Sequence, residues 1–274
     1  MKRIVVIGAS AMDVIAKSAS PVRPKDSNPG QIELSPGGVG RNICVNLKRL
    51  EEDVTFVSVF GQDPFSQTVK KELESIGVDL STCIEADSRF PMFVSIHQPT
   101  GELLDAVSDF TMLEQLTFEK IQEKIGSFPP FDIAVFDSNV SDGVIQAFAK
   151  AYPETYLCVD GVSQAKVSMI RSVLPEISLL KLNQNELSAL LGKPADDVIL
   201  ALKELLTKGI KQVIVTNGDE PITYNIGRSI YQTVVFEPEI SISTLGCGDA
   251  LFAGTIYGIA HGKSMHEALN YGKN

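Results

Sequence analysis

Five short, unbroken apolar runs, each closed by a small or polar residue or a turn, recur along this chain with helix-period stretches between them. They are Arg3-Ile4-Val5-Val6-Ile7-Gly8, Val54-Thr55-Phe56-Val57-Ser58-Val59, Ile133-Ala134-Val135-Phe136-Asp137, Tyr156-Leu157-Cys158-Val159-Asp160 and Gln212-Val213-Ile214-Val215-Thr216. A half-exposed strand alternates apolar with polar residues, whereas a strand covered on both faces reads as a continuous run. Helical patterns occupy residues 40–50, 64–76, 142–151, 168–174, 186–191 and 195–208. This alternation predicts an α/β fold, a doubly wound and mostly parallel sheet with helices on both faces. Such sheets bind ligands outside the carboxyl ends of their strands, which puts Gly8, Asp137 and Asp160 at the edge where a site is expected.

Two segments, about 14–35 and 89–106, break the alternation. They carry strand-like pieces, Gln31-Ile32-Glu33-Leu34 and Met92-Phe93-Val94-Ser95-Ile96, among polar and Pro/Gly turns. They are expected to form a small β lid over the carboxyl edge, the alternative being ordinary surface hairpins. At 274 residues, of which 44% are hydrophobic, the chain suits a single domain over 1–274 with a sizeable core.

Acidic residues outnumber basic ones 34 to 24, for a net charge of −10, and no basic run interrupts the sequence. Nucleic acid is therefore excluded as a partner. No apolar stretch reaches the roughly 20 residues of a membrane helix, and Met1-Lys2-Arg3 leads into a strand rather than a signal-peptide core, so no membrane partner and a cytoplasmic location are expected. Cysteines at 44, 83, 158 and 247 lack the paired spacing of a zinc site or a disulfide framework. The three histidines are dispersed and carry no metal-ligand signal.

The chemistry concentrates in two separated motifs. Pro36-Gly37-Gly38-Val39-Gly40-Arg41-Asn42 supplies glycines that let a polar substrate approach the backbone, with the Asn42 amide beside them. Leu245-Gly246-Cys247-Gly248-Asp249-Ala250 opens an apolar helical pattern, and a helix start receives anions. Together they read as one phosphoryl-transfer site, with Asp249 as general base and the Gly246, Cys247 and Gly248 amides around the phosphoryl oxygens. Asp249 as a plain helix N-cap is the alternative. Asn183 and Glu186 lie three apart at another helix start, where Glu186 either organises a hydrated Mg²⁺ or closes a capping box. Asp13, just past the first strand, is positioned to accept hydrogen bonds from vicinal sugar hydroxyls. A dinucleotide fold is disfavoured, because no G-x-G-x-x-G follows that strand.

These motifs, Gly37-Gly38-Val39-Gly40-Arg41-Asn42, Leu245-Gly246-Cys247-Gly248-Asp249 and Asn183-x-x-Glu186, resemble in order and over the whole chain those of the ribokinase/PfkB family of carbohydrate and nucleoside kinases. Asp26-Ser27-Asn28-Pro29-Gly30 with Ser35-Pro36-Gly37-Gly38-Val39-Gly40-Arg41-Asn42-Ile43 is most similar to the branch acting on pseudouridine. The resemblance implies transfer of the ATP γ-phosphate to that nucleoside's 5′-hydroxyl with Mg²⁺. The alternatives are a kinase of another nucleoside or sugar, or a catalytically weak nucleoside-binding protein.

Carried over, Asp13, Gly37, Gly38, Asn42 and Asn139 would hold the ribose, and Ser27 and Asn28 would meet the base. Asn183, Thr216, Gly218 and Lys166 would serve the nucleotide, with Glu186 at the metal and Asp160 near the phosphates. A homodimer through the lid is also implied. Three departures stand out. The family's Thr-Gly-Ala-Gly-Asp is Leu245-Gly246-Cys247-Gly248-Asp249 here, which loses a hydroxyl. The family's Thr-x-Gly-x-x-Gly becomes Thr216-Asn217-Gly218-Asp219-Glu220-Pro221, and proline removes an amide. Family members usually continue past the position of Asn274 through further helix, so a shortened C-terminus is expected.

Overall fold

The computed structural model describes residues 2–235 and 246–273. Its strands, in chain order, are β1 (Ile4–Ile7), β2 (Ala11–Ser18), β3 (Gly30–Gly37), β4 (Val54–Val57), β5 (Val59–Phe60), β6 (Ile84–Glu85), β7 (Met92–His97), β8 (Leu103–Asp109), β9 (Ile133–Asp137), β10 (Tyr156–Asp160), β11 (Leu179–Asn183), β12 (Gln212–Asn217), β13 (Glu220–Ile226) and β14 (Ser229–Thr233). The helices are α1 (Val39–Arg49), α2 (Pro64–Ser75), α3 (Phe118–Ile125), α4 (Asp142–Ala151), α5 (Gln164–Val167), α6 (Gln184–Leu191), α7 (Val198–Leu206), α8 (Cys247–Ala260) and α9 (Met265–Lys273).

Eight strands form the main sheet in the order β14-β13-β12-β11-β10-β9-β1-β4. From β4 to β12 every pairing is parallel, and β13 and β14 add an antiparallel edge. The apolar runs behave as their composition demands: all four residues of β1 and all five of β9 are buried. Local chemistry trims the predicted elements. Residues 54–59 divide after Val57, because β5 leaves the main sheet to pair with β6. The helix expected over 195–208 begins only at Val198, since the Asp197 side chain accepts from Leu200 N at 2.9 Å and caps it. The segment 168–174 lies within a 3₁₀ stretch, Ser168–Glu176, that contains Pro175.

The two irregular segments contribute to a second, four-stranded sheet ordered β3-β2-β7-β8. Side chains alternate across it. Asp13, paired with Ser35 and Phe93, faces one side with Ser108, whereas Val14, paired with Leu34 and Val94, faces the other with Val107. α1 and α8 pack against each other. At their far ends the His261 imidazole lies 3.5 Å from the buried Glu52 carboxylate.

Candidate active site

The site forms where α1 and α8 begin. Gly246 caps α8 in a left-handed conformation, φ 78°, without a capping side chain. The first amides of α8 therefore have no partner within the helix, the arrangement that attracts anions. Asp249, in the first turn, is not the cap: its Oδ2 accepts from Asn42 Nδ2 at 2.8 Å. That contact joins the two sequence motifs. Burial, reinforced by the like charge of Asp160, pushes the Asp249 carboxyl up to about 7, while Asn42 and Lys181 act the other way. A carboxyl tuned near neutrality is suited to general base catalysis.

The α1 start explains the glycine motif differently from the sequence argument. Gly38 has φ 95°, and a Cβ there would come within 2.6 Å of the Ala9 carbonyl. At Gly37 a Cβ would meet the Asp13 carboxylate at 2.2 Å. These close approaches are of chain on chain, and they let α1 press its first turn against the link between β1 and β2. Asp137 secures the same junction. Its Oδ2 accepts from Ala9 N at 2.7 Å and Gly40 N at 2.8 Å, and its Oδ1 accepts from Asn139 N at 3.0 Å. Burial raises its pKa and these hydrogen bonds oppose the rise.

Parallel register sets Asp137, Asp160 and Lys181 side by side at the carboxyl ends of β9, β10 and β11. The buried Lys181 ammonium lies 3.1 Å from Asp160 Oδ2. It also underlies the α8 start, since a Cβ on Gly248 would be 2.6 Å from Nζ. Burial disfavours the ammonium, but the surrounding Asp160, Glu186 and Asp249 carboxylates outweigh it and raise the Lys181 pKa. Asp160 Oδ1 accepts from Val162 N at 2.8 Å and holds Val162 at φ 58°, a costly conformation for a β-branched residue.

Asn183 and Glu186 form a capping box. Asn183 Oδ1 accepts from Glu186 N at 2.8 Å, and Asn183 N and Nδ2 donate to the Glu186 carboxylate at 2.9 and 2.6 Å. The capping role is thus realised, yet the residue is not a remote cap, because a Cβ on the neighbouring Gly161 would meet Glu186 Oε2 at 2.9 Å. Among the described residues no group of three or more His, Cys, Asp or Glu could enclose a metal. Asp160 Oδ2 is buried, with the Lys181 ammonium as its neighbour. Asp160, Glu186 and Asp249 together outnumber the single cation Lys181. Such a cluster fits a hydrated Mg²⁺ held chiefly by phosphates, not an all-protein cage.

A cavity of about 750 Å³ opens beside Asp249, walled by Asp13 and Phe93 of the second sheet, Asn42 of α1, and Asn139 and Lys166. Burial raises the Asp13 carboxyl to about 6, moderated by Arg41. The Lys166 ammonium stands on the cavity wall, 6.0 Å from the centre of the Phe110 ring. Ser27 and Asn28 are not on this wall. Asn28 is engaged by its own loop, accepting from Arg23 N at 2.8 Å and donating to Asp26 O at 3.0 Å. Thr216 neighbours Asn183 in register, and Gly218, φ 56°, makes the turn between β12 and β13, where Pro221 belongs to β13. Leu245 lies outside the described residues.

Asp137 was placed at the site edge by its strand end, whereas Lys181 and the side chain of Arg41 were not singled out from the sequence. Lys181 left a signal, a lone cation inside the apolar run Leu179-Leu180-Lys181-Leu182, two residues from Asn183 and hence on its face.

A doubly wound sheet that sets a carboxylate and a helix start beside a cavity fits a phosphotransferase with an alcohol acceptor. The chain belongs to the pfkB family of carbohydrate kinases, whose model matches residues 1–274. It is 27% identical over 274 residues to the pseudouridine kinase of Escherichia coli (strain K12), covering 98% of this chain and 87% of that protein. It is 27% identical over 284 residues to the guanosine-inosine kinase of Exiguobacterium acetylicum, covering 99% of this chain and 92% of that protein. Among solved structures, the ribokinase of Thermotoga maritima superposes with a TM-score of 0.84 at 20% identity, covering 100% of this chain and 91% of that one. Kinases of this family transfer phosphate to a hydroxyl group. Among the described residues no helix is long and apolar enough to cross a membrane.

Proposed function

We propose that this chain is a single-domain kinase that phosphorylates the 5′-hydroxyl of pseudouridine, with Mg²⁺-ATP as donor, in the cytoplasm. The observation that carries the reaction is the Asp249 carboxyl, joined to Asn42 and facing the cavity in the first turn of α8. Asp249 accepts the proton of the 5′-hydroxyl as that oxygen attacks the γ-phosphorus. The bond from the γ-phosphorus to the β–γ bridging oxygen breaks, ADP departs, and Asp249 later releases the proton to solvent. The Gly246, Cys247 and Gly248 amides receive the phosphoryl oxygens, with Lys181 beneath them. Bound Mg²⁺ neutralises phosphate charge, and Asp160 and Glu186 are the residues that would hold its water shell. Asp13, Gly37, Gly38, Asn42 and Asn139 hold the ribose, and Asn183, Thr216 and Gly218 serve the nucleotide.

Pseudouridine as acceptor is supported by the kinship with pseudouridine kinase. A second acceptor class, purine nucleosides, is favoured by the equal identity to guanosine-inosine kinase. ADP release with Mg²⁺-ATP against pseudouridine, uridine, inosine, ribose and fructose decides. Selective turnover of pseudouridine supports the reading, and preference for another acceptor retains the kinase but sinks the substrate.

We also propose that the second sheet closes a homodimer. Its outward face exposes Ile32, Leu34, Val94, Ile96 and Val107, with Val107 73% exposed. Contiguous apolar surface of this kind marks association. Sedimentation of Val107→Lys as a monomer beside a dimeric wild type would support it, and a monomeric wild type would end it.

A further inference from the structure

The orientation of the Asn42 carboxamide is set by its own neighbour in sequence. Arg41 Nη1 donates to Asn42 Oδ1 at 2.8 Å, and Asn42 Nδ2 donates to Asp249 Oδ2 at 2.8 Å. An amide has one accepting end and one donating end. With a cation on its oxygen and a carboxylate on its nitrogen, only one of its two flips is tolerable, because the reverse would set oxygen against carboxylate and NH₂ against guanidinium.

Arg41 is itself anchored. Its Nη2 pairs with Glu72 of α2, its backbone N–H donates to Ala9 O at 2.9 Å, and its side chain is only 10% exposed. A guanidinium suits this task, since its planar fork reaches the Glu72 carboxylate and the amide oxygen together. The chain Glu72–Arg41–Asn42–Asp249 thus runs from α2 through the start of α1 to the reacting carboxylate. Neither the site residues assigned above nor the motif reading gives Arg41 a part in the reaction.

Resting on the kinase reading given above, we propose that Arg41 is a positioning residue: by engaging Asn42 Oδ1 it fixes the carboxamide so that Nδ2 keeps Asp249 aimed at the acceptor hydroxyl. Arg41 also lines the cavity and moderates the Asp13 carboxyl, so its influence on the acceptor side is read in KM, while its influence on Asp249, which runs through Asn42, is read in kcat.

The test is a double-mutant cycle on the intact chain, with the best acceptor of the panel and Mg²⁺-ATP. It compares wild type, Arg41→Met, Asn42→Ala, the double variant, and Asp249→Ala as reference. Arg41→Met is expected to lower kcat roughly tenfold or more with little change in the KM for ATP, as befits an interaction expressed in the reacting complex. The double variant should be no slower than Asn42→Ala alone, because a residue that acts through another adds nothing once that other is gone. Arg41→Gln, which keeps a donor toward Oδ1, should recover part of kcat. Fold-losses that multiply in the double variant, or an unchanged kcat in Arg41→Met, would overturn the proposal. If Arg41→Met does not fold, Arg41→Leu, which also lacks a donor, replaces it in the cycle under the same two criteria. An active Asp249→Ala would instead sink the kinase mechanism, so the two failures are told apart.

Discussion

Asn42 and Asp249, 207 positions apart in the chain, are joined by a 2.8 Å hydrogen bond where α1 and α8 begin. Each motif alone has a plain structural use, as a packed glycine turn or a helix start. Their contact brings the two motifs to one place: the α1 amide supports a carboxylate that burial has moved toward neutrality.

With Asp249 titrating at about 7, kcat/KM should fall about tenfold per pH unit below that value and level off above it. Asp249→Asn should cost roughly 10²–10⁴ in kcat while acceptor binding by calorimetry persists. A loss of under about tenfold would remove Asp249 from the role of base.

The same shift has a cost in stability. The folded pKa of Asp249 is raised from its ordinary 3.8, so its favourable contribution is complete below about 4 and is lost as pH rises through 7. Asp249→Asn, always neutral, should therefore gain melting temperature over wild type as pH climbs from 4 to 8. Parallel melts at the two extremes check this, and a constant difference would contradict the assigned titration.

Lys181→Met would leave Asp160, Glu186 and Asp249 without their common cation. Removing one partner of a buried ion pair typically costs about 3–5 kcal/mol. Because Lys181 lowers the Asp249 pKa, the acid limb of the rate profile should also move to higher pH. Denaturant midpoints and the rate profile test the two effects separately.

Gly38→Ala and Gly246→Ala should differ in kind. Both positions have positive φ, which costs an alanine roughly 1–2 kcal/mol. At Gly38 the new Cβ also meets backbone at 2.6 Å, whereas at Gly246 nothing lies within 4 Å. Gly38→Ala should show the greater loss of unfolding free energy, and equal losses would remove backbone crowding as the reason for that glycine.

The chain's own pattern was enough for much of this molecule. Continuous apolar runs required buried strands, the intervening periods required helices, and small residues before Asp249 implied an anion site. Asn183 and Glu186 carried both of their uses openly, since spacing alone admits a capping box and a place near the nucleotide. The sequence by itself determined which elements form and which residue types stand at their ends, because those choices rest on local periodicity, capping and backbone freedom. Only tertiary structure decided which ends meet. The register across β9, β10 and β11 turned Lys181 from an oddity in an apolar run into the counter-ion of three carboxylates. Asp137 became the tie of three segments, while Asn28 turned to its own loop. Charge, burial and hydrogen bonding depend on neighbours distant in the chain, and strand order and helix packing supply those neighbours.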